Sequence, residues 1–284
     1  MSGIQQQKKP LNAGGIVLIL LLCVISLLFI TPILLVFLNS FKGKLYVINT
    51  PFAFPNAETF TGINNYVSGI TATGFPSAFG WSLFITVFSV GIIVLFSAMT
   101  AWYITRCTSL FCKVLYFAFV FAMIVPFQMV MFPLTKVANL LHLDNPLGIL
   151  VLYLGFGAAQ SVFLFSGFVK SVPIAVEEAA VIDGCNPITA FFAVIFPMLS
   201  PIAITVAILN AMWIWNDFLL PNLIIGSEYR TIPVAVQYLR GGYGSIDWGY
   251  MMAMIVLAVI PIIIFYFVCQ KHIIQGVTAG SVKG

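Results

Sequence analysis

Acidic side chains are scarce in this sequence and unevenly placed. Only 8 of the 284 residues are Asp or Glu, and three of them, Glu177, Glu178 and Asp183, lie close together. If these acids lie among small residues on a short helix, that helix can dock in a groove on a soluble partner and transmit the partner's movement. The alternative is an amphipathic helix lying on the bilayer, where both glutamates would be poorly placed against anionic headgroups.

The sequence lacks the motifs that would indicate a catalyst. It has no G-x-x-x-x-G-K-[ST] phosphate loop and no zinc-protease or nucleophile-elbow motif. Cys107 and Cys112 lack metal-ligand spacing, and neither His142 nor His272 is near them in sequence. We therefore predict no catalytic residue, no metal site and no cofactor bound by this chain.

The composition of the chain indicates a membrane protein. Charged residues make up 7% of the chain and hydrophobic residues 61%, whereas a soluble domain is about 25% charged. Most of the surface must therefore face lipid. A disordered chain, a nucleic-acid binder and a disulfide-stapled secreted domain are excluded, because each needs a composition that this chain lacks.

Six apolar runs, uncharged except for Asp217 in the fifth, are long enough to cross a bilayer, which needs about 20 apolar residues. The first is too long for a secretory signal and has no cleavage site after it, so we expect it to remain as an anchor. The fold class predicted is an all-α integral membrane protein with a six-helix domain over 16–270, between a short segment 1–15 and a tail 271–284. The runs are Ile16–Leu38, Ser82–Ile104, Val114–Thr135, Asn145–Val169, Pro201–Leu223 and Trp248–Gln270.

Six crossings place both termini on one side of the membrane, and the positive-inside rule selects the cytoplasm. In that orientation seven basic residues are cytoplasmic and four are outside, with Lys136 at an outer helix end. Lys42 and Lys44 oppose this orientation, since they directly follow the first span. The segment 170–200 is then a cytoplasmic loop, and 225–247 an outside loop.

The cytoplasmic loop contains the start and stop signals of two helices. Ser171 is a candidate cap for the first helix, and Gly184 supplies a left-handed stop. Asn186 can cap a second helix with Pro187 in its first position, and Pro197 marks the bend into the next span. The pattern predicts a helix, a glycine bend and another helix at the inner face of the membrane.

The same loop resembles the signature loop of ABC importer membrane subunits. Glu178-Ala179-Ala180 is followed by Gly184 and Pro197 in the spacing of that signature. The resemblance extends over almost the whole chain to the maltose-transporter type of permease, in particular to the shorter of its two paired membrane subunits. Further matching stretches are Ile124–Gln128, Phe132-Pro133, Leu143–Asn145, Trp215–Phe218 and Gln270–Gly284.

The resemblance implies a type I importer fold in the bacterial cytoplasmic membrane. It also implies a second permease subunit, two ATPase subunits that bind ATP and Mg, an external sugar-binding protein and a sugar substrate, with no nucleic acid. The loop helix is expected to sit in a cleft of the ATPase, and the tail to reach along the interface between the two ATPase subunits, although a frayed terminus is an alternative. The expected loop contacts are Glu177, Glu178, Ala179, Ala180, Asp183 and Gly184. The expected tail contacts are Gln275, Gly276, Thr278, Ala279 and Gly280, in a segment whose Gly and Ala content suits a strand or coil.

Two further groups of residues are candidates. By the resemblance, Tyr238, Arg240, Gly242 and Tyr243 of the outside loop could probe the sugar-binding protein, and an ordinary solvated loop is the alternative.

Asp217 is the one acid placed within a predicted span, and it shares a helical face with Asn210 and Trp213. That face could line the passage. Asp217 lies near the outer end of its span, however, where a structural role is favoured, and Trp213 could equally be an interfacial anchor.

The leading hypothesis is half of the translocation pathway of an ATP-driven carbohydrate importer, without catalytic activity of its own. An ion-coupled secondary transporter would need midplane charges and inverted repeats, and neither is visible. An intramembrane enzyme would need convergent polar groups at depth, and both histidines are assigned to loops or helix ends.

Overall fold

The computed structural model describes residues 13–239 and 247–281, with side chains to residue 270. Within these ranges every regular element is a helix, and the only extended pairing is one isolated bridge between Lys42 and Phe60. The helices are α1 Ala13–Asn39, α2 Lys44–Asn49, α3 Asn64–Thr73, α4 Phe75–Arg106, α5 Leu110–Ala122, α6 Phe127–Leu140, α7 Gly148–Val169, α8 Ile174–Ile182, α9 Pro187–Ala190, a π-helix Phe191–Ile195, α10 Phe196–Met198, α11 Ser200–Asn216, α12 Leu219–Ile224, α13 Ile232–Gln237 and α14 Trp248–Ser281.

Four of these helices, α1, α4, α7 and α14, are each long and apolar enough to cross a membrane. Two bent pairs also qualify if each is counted as one span, so the described residues contain four to six candidate spans. The pair α5 and α6 is bent by 109°, and the pair formed by Pro187–Met198 and α11 is bent by 78°. The prediction of all-helical membrane architecture is confirmed at this level.

The third predicted span, Val114–Thr135, is not one straight helix. α5 ends at Ala122 and α6 begins at Phe127, with Pro126 at its N-cap. Proline lacks an N–H and disfavours helical geometry in the residue before it. A helix therefore cannot run through Val125 and Pro126 without losing hydrogen bonds.

The fifth predicted span, Pro201–Leu223, is wrong at its C-terminal end. α11 ends at Asn216, and Asp217 has extended backbone angles. The carboxylate of Asp217 accepts hydrogen bonds from the amides of Leu219 and Leu220, at 2.9 and 3.4 Å. These are the first amides of the short helix α12, so Asp217 stops one helix and starts the next.

The chain divides into two compact units. The first comprises residues 1–69 and 240–257, and its described part contains α1 to most of α3 and the start of α14. Here the amide of Asn65 donates to the carbonyls of Ser40 and Lys42, each at 2.8 Å. Lys42 is fully buried and its Nζ donates to the carbonyl of Thr50, while burial lowers the pKa of its ammonium group.

The second unit comprises residues 70–239 and 258–284, and it contains the candidate site. Its core lies mainly between α4 and α7, with α5 and α11 packed beside them. Gly157 on α7 lies so close to its neighbours that an added Cβ would be 2.6 Å from Ile93 Cδ1 and 2.8 Å from Asn210 Oδ1. Small residues of this kind allow membrane helices to approach closely.

Helix α14 runs on into the tail. It spans 34 residues, from Trp248 to Ser281, or about 51 Å, against about 30 Å for the hydrocarbon core. The strand or coil expected for the tail is therefore wrong as far as Ser281. An established helix gains one hydrogen bond with each added residue, which offsets the low helix propensity of Gly276 and Gly280.

Candidate functional site

Helix α8 ends where the sequence predicts. Gly184 adopts a left-handed conformation with φ of +84°. Its amide donates to the carbonyl of Val181, and the amide of Cys185 donates to that of Ala180, both at 3.0 Å. This is the paired bonding of a Schellman motif, and it makes the turn after α8 a defined stop.

The start of α8 differs from the prediction. Ser171 does not cap the helix, because its hydroxyl donates to the carbonyl of Phe168 at 2.6 Å. Pro173 occupies the N-cap position with extended backbone angles. The lack of a proline N–H and its restricted φ suit the edge of a helix. The helix therefore begins at Ile174, two residues later than a cap at Ser171 would place it.

The second helix of the loop begins as predicted and then changes character. The side chain of Asn186 accepts a hydrogen bond from the amide of Thr189 at 2.9 Å, and Pro187 is the first helical residue. A single π-helical turn follows over Phe191–Ile195. The chain then bends by 78° at Leu199, between Met198 and Ser200, which is two residues after the predicted position Pro197.

The six residues expected to contact an ATPase do not share one surface. Glu178, Ala179, Asp183 and Gly184 are exposed, Glu177 is half-buried and Ala180 is buried. Adjacent positions on a helix point about 100° apart, so the two glutamates face different surroundings. The exposed four, two acids and two small residues, form the first part of a surface that we call the α8 outer face.

Apolar residues complete the α8 outer face, and sequence reasoning missed them. Val181 and Ile182 are exposed, Ile182 to 84%, and so are Ile174 and Ile188 nearby. Val181 and Ile182 follow Glu178 by three and four positions, which places them on its side of the helix. That spacing was the available signal, but the apolar character of the whole chain concealed it.

Glu177 faces helix α4. Its Oε1 accepts from Arg106 Nε at 2.8 Å and lies 2.6 Å from Arg106 Nη2. Its Oε2 accepts from the indole of Trp102 at 3.1 Å. No local pattern could have paired these residues, since more than 70 positions separate Glu177 from each partner.

The three residues proposed for a pathway lie in different surroundings. Asn210 is 6% exposed and donates to Ser161 Oγ at 3.1 Å and to the carbonyl of Val206, so its side chain is held between α7 and α11. Trp213 is 41% exposed, and the centroid of its ring lies 5.5 Å from that of the Tyr153 ring. Asp217 accepts from the Tyr153 hydroxyl at 3.0 Å. Tyr153 thus joins two of the three residues.

Only part of the predicted outside-loop and tail sites can be described. Tyr238 is exposed and its ring lies 4.6 Å from the guanidinium carbon of Arg230. Arg240, Gly242 and Tyr243 lie outside the described residues. The tail backbone from Gln275 to Gly280 is helical, and its side chains are not described.

Comparison with known proteins places this arrangement in a family. Residues 94–279 match the model of the binding-protein-dependent transport system inner membrane component. The matched range includes α8, its outer face and most of the helices that support them. The chain belongs to this family. It is therefore a permease subunit, a membrane component of a transporter and not its catalytic part, and the family resemblance inferred from the signature loop is confirmed.

Full-length relatives support the same assignment. The permease is 38% identical, over 100% of both chains, to a probable starch degradation products transport system permease protein of Thermoanaerobacterium thermosulfurigenes. It is also 38% identical to a multiple sugar-binding transport system permease protein of Streptococcus mutans, covering 93% of this chain and 95% of the relative. Permeases of this kind work with a partner permease, an ATPase and a substrate-binding protein.

A solved structure has the same fold. One chain of a bacterial ABC transporter involved in import of the acidic polysaccharide alginate aligns with a TM-score of 0.75 and 23% identity. The alignment covers 93% of this permease and 99% of that chain. The helical architecture is therefore that of an ABC transporter permease subunit.

Proposed function

We propose that this permease forms half of the translocation pathway of an ATP-driven carbohydrate importer, and that oligosaccharides are its substrates. The support is that the full-length relatives are named for starch degradation products and for multiple sugars. Other relatives of similar length are named for diacetylchitobiose, for arabinooligosaccharides and for melibiose, raffinose and stachyose. A neutral oligosaccharide also suits a chain with few charged groups.

The observation that carries the coupling role is the α8 outer face. An exposed carboxylate, small residues and exposed branched side chains surround a helix end with defined geometry. Exposed apolar groups rimmed by polar ones are typical of protein contact sites. We assign this face to docking in a cleft of the ATPase subunit, which binds ATP and Mg and hydrolyses the nucleotide.

The remaining assignments complete the proposal. Six spans hold both termini and the 170–200 loop in the cytoplasm of a bacterial inner membrane, with two ATPase subunits and a second permease. The tail residues Gln275 to Gly280 contact the ATPases, and Tyr238, Arg240, Gly242 and Tyr243 contact the sugar-binding protein. Trp213 and Asp217 line the passage near its outer end, with Asn210 on the same helix. The domain division at residues 15 and 270 follows from this topology.

Reconstitution tests the function. The complete transporter, purified through a tag on this permease, is placed in liposomes with its binding protein and a radiolabelled panel of malto-oligosaccharides, raffinose and arabino-oligosaccharides. We expect ATP-dependent uptake of at least one sugar and sugar-stimulated ATP hydrolysis. Uptake by this permease alone, driven by an ion gradient, would contradict the proposal.

A further inference from the structure

A polar cluster joins α8 to the end of α4 through Glu177, the half-buried neighbour of the exposed Glu178. Arg106 and Trp102 together engage both carboxylate oxygens of Glu177, through contacts of 2.6 to 3.1 Å. The Arg106 and Glu177 side chains are 20% and 15% exposed. Theirs is the one ion pair formed between two residues of the described ranges.

The cluster also reaches two further segments. Arg106 Nη2 donates to the carbonyl of Val172 at 2.8 Å, in the connection between α7 and α8. The Trp102 ring lies 5.6 Å from that of Phe191, the first residue of the π-helix. Four segments therefore meet at Arg106 and Trp102. Isolated π-helical turns are frequent at functional sites.

Charge placement favours this arrangement. Arg106 lies in the last turn of α4 and Glu177 in the first turn of α8. A cation at a helix C-terminus and an anion at an N-terminus are each stabilised by the helix dipole. The pair is also largely withdrawn from solvent and bonded through several donors, which distinguishes it from an exposed surface ion pair of little energetic effect.

A helix as short as α8 needs tertiary contacts of this kind to hold it in place. It has nine residues, whereas isolated helices below about 12 residues are marginal in water. Many of its side chains are exposed, and its two ends are a proline and a glycine. Without the contacts of Glu177, a force applied to the outer face would tilt α8 about its ends and leave α4 in place.

We propose that Glu177, Arg106 and Trp102 form a mechanical joint that transmits displacement of α8 to α4. Docking is left to the exposed residues of the outer face, so the two adjacent glutamates have separate tasks. Glu177 is a positioning residue, and Glu178 is a contact residue. This inference rests on the proposed coupling function, and it adds the route by which movement enters the membrane helices.

The test compares neighbouring glutamates in the complete transporter reconstituted in liposomes. The variants are Glu177→Ala, the conservative Glu177→Gln, and the matched control Glu178→Ala. Two quantities are measured: the amount of ATPase that copurifies with the permease, and the sugar imported per ATP hydrolysed. The sugar is the member of the radiolabelled panel that the wild-type transporter imports.

We expect Glu177→Ala to retain the ATPase while the sugar imported per ATP falls about tenfold, because charge-assisted hydrogen bonds are lost. Glu177→Gln keeps an acceptor oxygen and should give an intermediate ratio. The control Glu178→Ala should lose ATPase instead. In a double variant with Arg106→Ala the losses should be less than additive, since both substitutions remove the ion pair between Arg106 and Glu177.

Two results would overturn the joint. One is wild-type coupling in Glu177→Ala and Glu177→Gln. The other is loss of ATPase from Glu177→Ala equal to that from Glu178→Ala, which would make Glu177 a docking residue. If Glu178→Ala keeps its ATPase while Glu177→Ala is uncoupled, the joint stands and the docking assignment of the outer face fails. A wild-type permease that copurifies with no ATPase would refute the proposed function itself.

Discussion

Two adjacent glutamates on α8 have different chemical roles, although they differ by only one helical position. Glu177 is half-buried and bonded to Arg106 and Trp102, whereas Glu178 is exposed and points about 100° away from it around α8. The same carboxylate group is thus a fixed internal contact at one position and an available external one at the next. Substitution of Glu177 and Glu178 together would mix two effects, so each glutamate has to be changed alone.

At the residue scale, we predict that Gly184→Ala impairs ATPase binding through backbone strain. A Cβ at Gly184 would meet nothing within 4 Å, but its φ is +84°, which costs a side-chain-bearing residue about 1 kcal/mol or more. Gly226→Ala is the matched control. Gly226 has φ of +57° and equally open space around its Cβ position, and it does not belong to the 170–200 loop. We expect only Gly184→Ala to reduce copurified ATPase. An equal reduction in both variants would show a general loss of stability.

At the element scale, packing of α7 against α4 and α11 depends on one small residue. We predict that Gly157→Ala destabilises the permease by about 1–3 kcal/mol, because the new methyl group would overlap Ile93 and Asn210 and separate the helices. Gly155→Ala on the same helix is the control, since its Cβ would meet nothing within 4 Å.

Thermal unfolding in detergent measures the difference between the two variants. The control should melt within a few degrees of the wild type, and Gly157→Ala clearly lower. Equal melting temperatures would show that α7 can move away from α4 and α11 without loss of packing.

The elements themselves differ in how well the sequence predicted them. The long helices α1, α4, α7 and α14 follow from uncharged runs. The C-terminal end of α8 follows from Gly184 and the start of α9 from Asn186, because these signals are local. The predicted spans Val114–Thr135 and Pro201–Leu223 ran through the break between α5 and α6 and through the early end of α11. Both lie inside predominantly apolar runs, where mean hydropathy alone cannot distinguish a straight helix from one that ends at Pro126 or Asp217.

At the scale of the whole molecule, the proposed topology makes a direct prediction. In a background without native cysteines, Phe52→Cys should react with a membrane-impermeant maleimide in intact cells, and Ile182→Cys only after permeabilisation. Both side chains are well exposed, to 77% and 84%, so their reactivity reports sidedness and not burial. Labelling of Ile182→Cys in intact cells would contradict a cytoplasmic α8.

The sequence by itself determined that this chain is a helical membrane protein, that it belongs to the importer permeases, and where the loop proposed for coupling lies. These conclusions depend on composition, run length and a local signature, which are properties of consecutive residues. Only the tertiary structure decided that Glu177 faces Arg106 and Trp102, that Ala180 is buried, and that Asp217 bonds Tyr153. Those contacts join residues between 64 and 75 positions apart, and such pairing depends on how the helices pack.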